Sequence, residues 1–220
     1  MKVVVIGAHG KVGRVLLPIL AEHGDEVAGV VRREEQLPLV RDLGGEPVLL
    51  DVEHASTEQI ADAVRGYDAV VWTAGAGGGD RDRTYAVDRD AAVRAVDAAT
   101  SAGVGRFVLV SWIGSVPDHG VPEDSSFFAY ADAKLAADDH LRATDLEWTV
   151  LGPGTLTDDA PTGAVDVLAE DAETPQGAAS QVSRADVAMV VAQTLRTPAT
   201  VGRFVRFTAG DAPILEALDR

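Results

Sequence analysis

Short runs of β-branched and other apolar residues alternate along the chain with longer stretches of helical periodicity. Lys2–Ile6, Glu26–Val31, Glu46–Leu50, Ala69–Thr73, Arg106–Val110 and Glu147–Leu151 read as strands. Between them, Lys11–His23, Arg33–Leu43, Ser56–Arg65, Thr84–Ala102 and a segment within Ser126–Thr144 read as helices. Strands this apolar are buried on both faces, which calls for a parallel sheet with helices on each side. The repeated strand–helix–strand order predicts the α/β class with a doubly wound sheet. Beyond Leu151 the rhythm loosens. Gly152–Pro161 reads as a loop, Ala164–Leu168 as a short strand, and Ala169–Ser180 as a polar stretch. Ser183 is a candidate N-cap for a helix reaching Leu195, and Arg203–Thr208 reads as a last strand. No linker, repeat or low-complexity segment interrupts this order. One domain over residues 1–220 is expected, with a small substrate-side portion within residues 152–220.

Composition narrows the function classes. The chain has 220 residues and 19 Lys plus Arg against 35 Asp plus Glu, a formal net charge of −16. Such a charge argues against nucleic acid and anionic membranes as partners, because phosphate binding needs a basic patch. The absence of Cys excludes a disulfide framework, a thiolate zinc site, an iron–sulfur cluster and a catalytic thiol. The absence of Asn excludes N-glycosylation. The apolar run before Gly7 is too short for a signal peptide and no run nears membrane-spanning length, so a cytoplasmic location is expected. Lys occurs only at Lys2, Lys11 and Lys134, with Arg elsewhere. This resembles proteins of salt-in halophiles, a GC-rich genome being the alternative. The acidic runs Asp80/Asp82, Asp138-Asp139 and Asp158-Asp159 read as solvated faces.

Four local signals carry chemistry. Gly7-Ala8-His9-Gly10-Lys11-Val12-Gly13 follows the first strand and opens the first helix. Gly7 and Gly10 permit a tight turn and close backbone approach, and Gly13 lets the helix pack. A pyrophosphate then sits at a helix N-terminus, with His9 a candidate to face it. At the end of the second strand stand Arg32 and Arg33, where an NAD-selective site places an acid. Guanidinium suits a ribose 2′-phosphate, and Lys11 adds charge, so NADP is favoured with NAD possible. The alternative is that both arginines cap the next helix and pair with Glu34 and Glu35. Asp51, followed by Val52, is placed to accept from an adenine amino group or to cap a helix. Thr73-Ala74-Gly75, running into Gly77-Gly78-Gly79, leaves room for the adenosine ribose.

The fourth signal is Tyr130-Ala131-Asp132-Ala133-Lys134. At this spacing both side chains share one helix face. A phenol with pKa about 10 is a poor acid–base group, and a nearby ammonium lowers that value. The plainer alternative is a surface Tyr packed by a Lys stem. The five His have no metal spacing, and no G-x-S-x-G elbow supports hydrolase chemistry.

Together with Arg106-Phe107-Val108-Leu109-Val110-Ser111, Thr149-Val150-Leu151-Gly152-Pro153-Gly154, Ser183-Arg184-Ala185-Asp186-Val187-Ala188 and the closing Thr208–Leu218 segment, these motifs resemble the short-chain dehydrogenase/reductase superfamily. The resemblance is to its small atypical members, the NmrA-like and NAD(P)H-binding proteins often labelled sugar epimerases. It implies a Rossmann-type domain with cofactor under the glycine loop, contacting Val12 and Val52 as well. It also implies a Ser–Tyr–Lys active site, with Pro153 and Gly154 near the nicotinamide. Two departures stand out. The usual Ser-Ser pair reads Ser111-Trp112, leaving the serine role to Ser111 or Ser115. The Asn many members place on the fourth helix is absent, and Asp88 lies in that region. The expected activity is NADP-dependent reduction of a small carbonyl or quinone-like molecule, with Tyr130 as proton donor. The alternatives are a nucleotide-sugar epimerase or dehydratase, and a non-catalytic dinucleotide sensor. No metal is expected, and the oligomeric state is open.

Overall fold

The computed structural model describes residues 1–77, 80–169, 172–175 and 177–219. Seven strands lie parallel: β1 (Lys2–Ile6), β2 (Glu26–Val31), β3 (Glu46–Leu49), β4 (Ala69–Trp72), β5 (Arg106–Val110), β6 (Glu147–Pro153) and β10 (Arg203–Pro213). An eighth, β8 (Ala164–Val167), pairs antiparallel with β10. The order across the sheet is β3-β2-β1-β4-β5-β6-β10-β8. The strand order therefore reverses between β1 and β4, the place where open α/β sheets hold ligands.

Alternation along β1 explains the two layers. Val3 and Val5 pack with Leu16, Leu17 and Leu20 of α1 (Lys11–Glu22) and Val187, Val190 and Val191 of α7 (Arg184–Thr194). Val4 and Ile6 face the opposite layer of α3 (Thr57–Val64), α5 (Ala92–Ala102) and α6 (Phe128–Arg142). Burying each such Val, Leu or Ile is worth about 1.5–3 kcal/mol relative to exposure. Polar caps set the helix starts. Ser56 and Gln59 exchange hydrogen bonds at α3, and the Ser183 hydroxyl accepts from the Asp186 N–H at 2.9 Å, as its position implied.

Several boundaries differ from the sequence reading. Arg33 is extended, and its N–H donates to the Gln36 side chain. The expected helix is therefore a 3₁₀ turn (Glu34–Gln36) followed by α2 (Leu37–Asp42). The helix expected from Thr84 begins at α4 (Arg81–Thr84), because the Asp80 carboxylate accepts from the Arg83 N–H and caps it. It then widens into a π-helical stretch, Tyr85–Ala91, before α5. The loop expected over Gly152–Pro161 is partly strand: β6 runs to Pro153, and β7 (Thr155–Thr157) pairs with β9 (Gln181–Ser183). The last strand extends past Thr208 to Pro213 and is followed by α8 (Ile214–Leu218). Gly78 and Gly79 of the glycine run lie outside the described residues, as do Glu170, Asp171 and Gln176 of the polar stretch. Among the described residues no helix is long and apolar enough to cross a membrane, and no group of acids or histidines could hold a metal.

Candidate active site

The turn after β1 is built on close approach. Gly7 has φ +94°, and a Cβ there would lie 2.5 Å from the Ala74 nitrogen. A Cβ on Gly13 would lie 2.6 Å from the Gly7 oxygen. Glycine at these two positions seats the turn against the end of β4 and α1 against the turn. Gly10 is the N-cap of α1 and has no side chain to cap the first-turn N–H groups. Unpartnered donors at a helix N-terminus fit a pyrophosphate.

A cavity of about 320 Å³ opens beside this turn. Gly7, His9, Gly10, Arg32, Asp51, Val52, Thr73, Ala74 and Gly75 line it. Thr73 is fixed by donating its hydroxyl to the Ile6 carbonyl at 3.1 Å. Asp51 accepts from the Glu53 N–H at 3.2 Å and contacts His54 at 3.1 Å, so it shapes its own turn while facing the cavity. Arg94 holds that turn through the Val52 and Glu53 carbonyls, each at 3.0 Å. Arg83 joins Glu53 at 3.1 Å and also donates to the Ala76 carbonyl.

The cations separate into different roles. Arg32 lines the cavity and is exposed, with no partner among the described residues. Arg33 does not line it; its guanidinium pairs with Glu35 at 3.0 Å, the alternative raised from sequence. Lys11 turns outward to Asp158 at 2.7 Å. Arg184 meets the other oxygen of that carboxylate at 2.7 Å, and the two cations hold Asp158 below the usual carboxylate range. Arg14 lies against His9, 2.7 Å from Nε2 and donating to the His9 carbonyl at 2.8 Å. Burial and then this guanidinium lower the His9 pKa, so the imidazole is neutral at pH 7.

A second cavity, of about 820 Å³, shares Thr73, Ala74, Gly75 and Gly77 with the first. Val12, Asp88, Ser111, Tyr130 and Lys134 line it, so the π-helical stretch, the end of β5 and α6 converge there. Asp88 is buried and accepts from the Ala76 N–H at 2.9 Å. Burial raises its pKa, opposed mainly by the Lys134 ammonium. Gly75 leaves room for this carboxylate, since a Cβ there would lie 3.0 Å from Asp88 Oδ1.

Tyr130 and Lys134 share one face of α6, but the ammonium does not meet the phenol. Lys134 is 2% exposed and donates to the Val110 carbonyl at 2.8 Å. Burial, with the Asp88 and Asp138 carboxylates adding to it, pushes the Tyr130 pKa above the ordinary phenol value. Lys134 is not among the groups that shift it, so the expected lowering does not occur, and Tyr130 is held protonated. Of the two candidate serines, Ser111 lines the cavity and Ser115 does not. Pro153 and Gly154 line neither cavity. The Pro153 carbonyl accepts from Ile113, and Gly154 packs so closely on Ser180 that a Cβ would strike its carbonyl oxygen.

Sequence reasoning passed over Asp138, taking Asp138-Asp139 for a solvated run. Asp139 is exposed, but Asp138 is wholly buried, and both candidate serines donate to it. The available signal was its spacing, one helical turn beyond Lys134 on the Tyr130 face. The other acidic runs also do more than face solvent: Asp80 caps α4 and Asp158 bridges two cations. The two aromatic residues of the rim were missed too. Phe127 and Phe128 line the second cavity, with Phe127 stacked 5.1 Å from both Trp112 and Tyr130.

This fold, with its glycine turn at the sheet's switch point, defines a Rossmann-type protein fitted to a nicotinamide dinucleotide. The comparisons agree. The chain belongs to the NAD(P)H-binding family, whose model matches residues 7–198. It is 38% identical over 222 residues to the uncharacterized sugar epimerase YhfK of Bacillus subtilis, with 100% of each chain covered. A Bacillus halodurans structure provisionally described as an NAD-dependent epimerase/dehydratase superposes with a TM-score of 0.90 at 33% identity, over 100% of this chain and 99% of that one. The oxidoreductase ylbE of Lactococcus lactis superposes with a TM-score of 0.85 at 29% identity, over 100% and 95%. The fold is therefore that of NAD(P)-binding oxidoreductases and epimerases.

Proposed function

We propose that the protein is an NADP-dependent reductase of small, uncharged carbonyl or quinone-like compounds. The observation that carries this reading is the second cavity, where a phenol held protonated lines a space that shares Thr73, Ala74, Gly75 and Gly77 with the dinucleotide cleft. A bound reduced nicotinamide supplies a hydride. The glycine turn and the uncapped start of α1 would hold its pyrophosphate, Arg32 a 2′-phosphate, and Asp51 and Val52 the adenosine end. Tyr130 gives its proton to the substrate oxygen as the carbonyl carbon is reduced, and solvent returns a proton to the phenolate. Lys134, held on the Val110 carbonyl, supplies the positive charge that offsets the buried Asp88 and Asp138 carboxylates around the phenol.

The rim bears on the choice between reductase and nucleotide-sugar epimerase. Asp80, Glu123 and Asp124 line it alongside Arg81, so acids outnumber cations there. Such a rim repels a substrate diphosphate, while Phe127 and Phe128 offer apolar surface. The retained Tyr130 and Lys134 weigh against a non-catalytic sensor. The test is NADPH oxidation with menadione, acetophenone and α-hydroxyacetophenone, with UDP-glucose and UDP-galactose in the presence of NADP⁺ or NAD⁺ as the epimerase arm. Carbonyl-dependent oxidation that is lost in Tyr130→Phe is expected. Interconversion of the UDP-sugars without net NADPH oxidation would overturn the reading.

A further inference from the structure

Asp138 lies on α6 behind the cavity wall, with 0% of its surface exposed. One of its oxygens, Oδ2, accepts from both Ser111 Oγ at 2.5 Å and Ser115 Oγ at 2.6 Å. The other, Oδ1, has no hydrogen-bond partner among the described residues. Lys134 and Arg142 are the cations whose charge reaches the carboxylate, and neither donates to it: Lys134 is spent on the Val110 carbonyl, Arg142 on Asp139. A wholly buried carboxylate bound, among the described residues, by two serine hydroxyls alone fixes where both serine protons point.

A serine hydroxyl has one proton and two lone pairs. Ser111 is anchored at the end of β5, its N–H donating to the Leu151 carbonyl at 2.7 Å, and it lines the cavity. With its proton directed backward to Asp138, it presents only lone pairs to the cavity. We propose that Asp138 is a positioning residue that makes Ser111 a hydrogen-bond acceptor toward substrate, so that the site selects carbonyl compounds bearing a hydroxyl or N–H next to the reacting carbon. The inference rests on the reading of Tyr130 as proton donor. Tyr130 serves the carbonyl oxygen, and Ser111 receives the neighbouring donor.

An isosteric amide reverses the arrangement. In Asp138→Asn the Nδ2 group takes the place of Oδ2 and donates a hydrogen to each serine. Its Oδ1 occupies the position that lacks a donor, and Ser111 turns its own proton into the cavity. The test uses NADPH and two ketones that differ by one donor, α-hydroxyacetophenone and acetophenone. The quantity read is the ratio of their kcat/KM values in each variant, which cancels their intrinsic reactivity. Relative to wild type, Ser111→Ala lowers that ratio about tenfold, the worth of one good hydrogen bond. Asp138→Asn lowers it at least as far. Ser115→Ala, whose hydroxyl does not reach the cavity, keeps it. A merely structural role for Asp138 would slow both ketones equally and leave the ratio unchanged, which would overturn the proposal. So would a ratio that survives Ser111→Ala, and that pair decides the matter even where Asp138→Asn does not fold. If wild type turns over neither ketone, the reductase reading fails by itself. The two affinities are then compared by saturation-transfer NMR with NADP⁺ present. A preference for the hydroxyketone that is lost in Ser111→Ala sustains the proposal, and equal affinities overturn it.

Discussion

The Lys134 ammonium donates to the Val110 carbonyl at 2.8 Å, at the end of the central strand, instead of reaching up to Tyr130. The lysine thereby ties α6 to β5 and leaves the phenol protonated. Catalysis in the reducing direction then needs no prior ionisation of Tyr130.

Tyr130→Phe removes the proton donor and little else. Turnover of any carbonyl substrate should fall by about 10²–10⁴, the usual contribution of a placed acid. The NADPH dissociation constant should change by less than about threefold. Because the phenol pKa is raised, kcat for reduction should be independent of this group from about pH 6 to about pH 9. A kcat that falls across that range in wild type, and whose fall disappears in Tyr130→Phe, would show the phenol ionising there.

Lys134→Ala leaves the buried Asp88 and Asp138 without their nearest cation. Removing one member of a buried charge cluster costs about 3–5 kcal/mol. Urea unfolding should show a loss of that size at neutral pH, shrinking in acid as the carboxylates protonate. An undiminished midpoint would mean that Lys134 is not what balances them.

Arg32 faces the first cavity with no partner among the described residues, while Arg33 is paired with Glu35. Arg32→Ala should weaken NADPH about tenfold or more, one charge-assisted contact, and leave NADH nearly unchanged. Arg33→Ala should change either affinity by less than about twofold. Paired titrations at matched salt measure both. Equal losses for the two cofactors would place the 2′-phosphate elsewhere.

Burial pushes the Asp138 pKa up to about 6, with Lys134, the two serine hydroxyls and Arg142 opposing the rise. Its unfolded value is about 3.9. Between those values the native state holds more protons than the unfolded chain, so this group's contribution makes stability fall as pH rises. The loss amounts to roughly 3 kcal/mol by neutral pH. Asp138→Asn does not titrate, so its unfolding free energy minus that of wild type should grow by about that amount from about pH 4 to about pH 7. A constant difference would show that Asp138 titrates normally.

The net charge of −16 predicts a response to salt. Raising KCl from about 0.1 M to about 1 M shortens the Debye length from about 10 Å to about 3 Å and relieves acidic self-repulsion. The melting temperature should climb steeply over that range. A flat series would leave genomic base composition as the account of the scarce lysines.

The sheet is legible in sequence because β1, β4 and β5 are apolar at nearly every position, a pattern that only burial on both faces explains. The glycine turn and the Tyr130–Lys134 pair are legible because their geometry is local, fixed by spacings of three and four residues. Asp138 is not, because its burial depends on Ser111 and Ser115, which come from a different loop. The β7–β9 pair is hidden for a similar reason: two three-residue strands from distant segments meet only after β6 and β10 have set their positions. The π-helical stretch around Asp88 follows the same hydrophobic rhythm as an ordinary helix, so no periodic signal marks it.

The packing of α1 on α7 has a consequence for how the protein is made. The glycine turn leaves the ribosome well before α7, yet Leu16, Leu17 and Leu20 behind it are covered partly by Val187, Val190 and Val191. Lys11 likewise waits for Asp158 and Arg184. A nascent chain stalled before Arg184 would expose that leucine stripe to water and to chaperones. The dinucleotide cradle, though lined by residues 6–87, leans on a helix whose buried face is covered only when α7 docks behind it, like a buckle fastened by the far end of the strap.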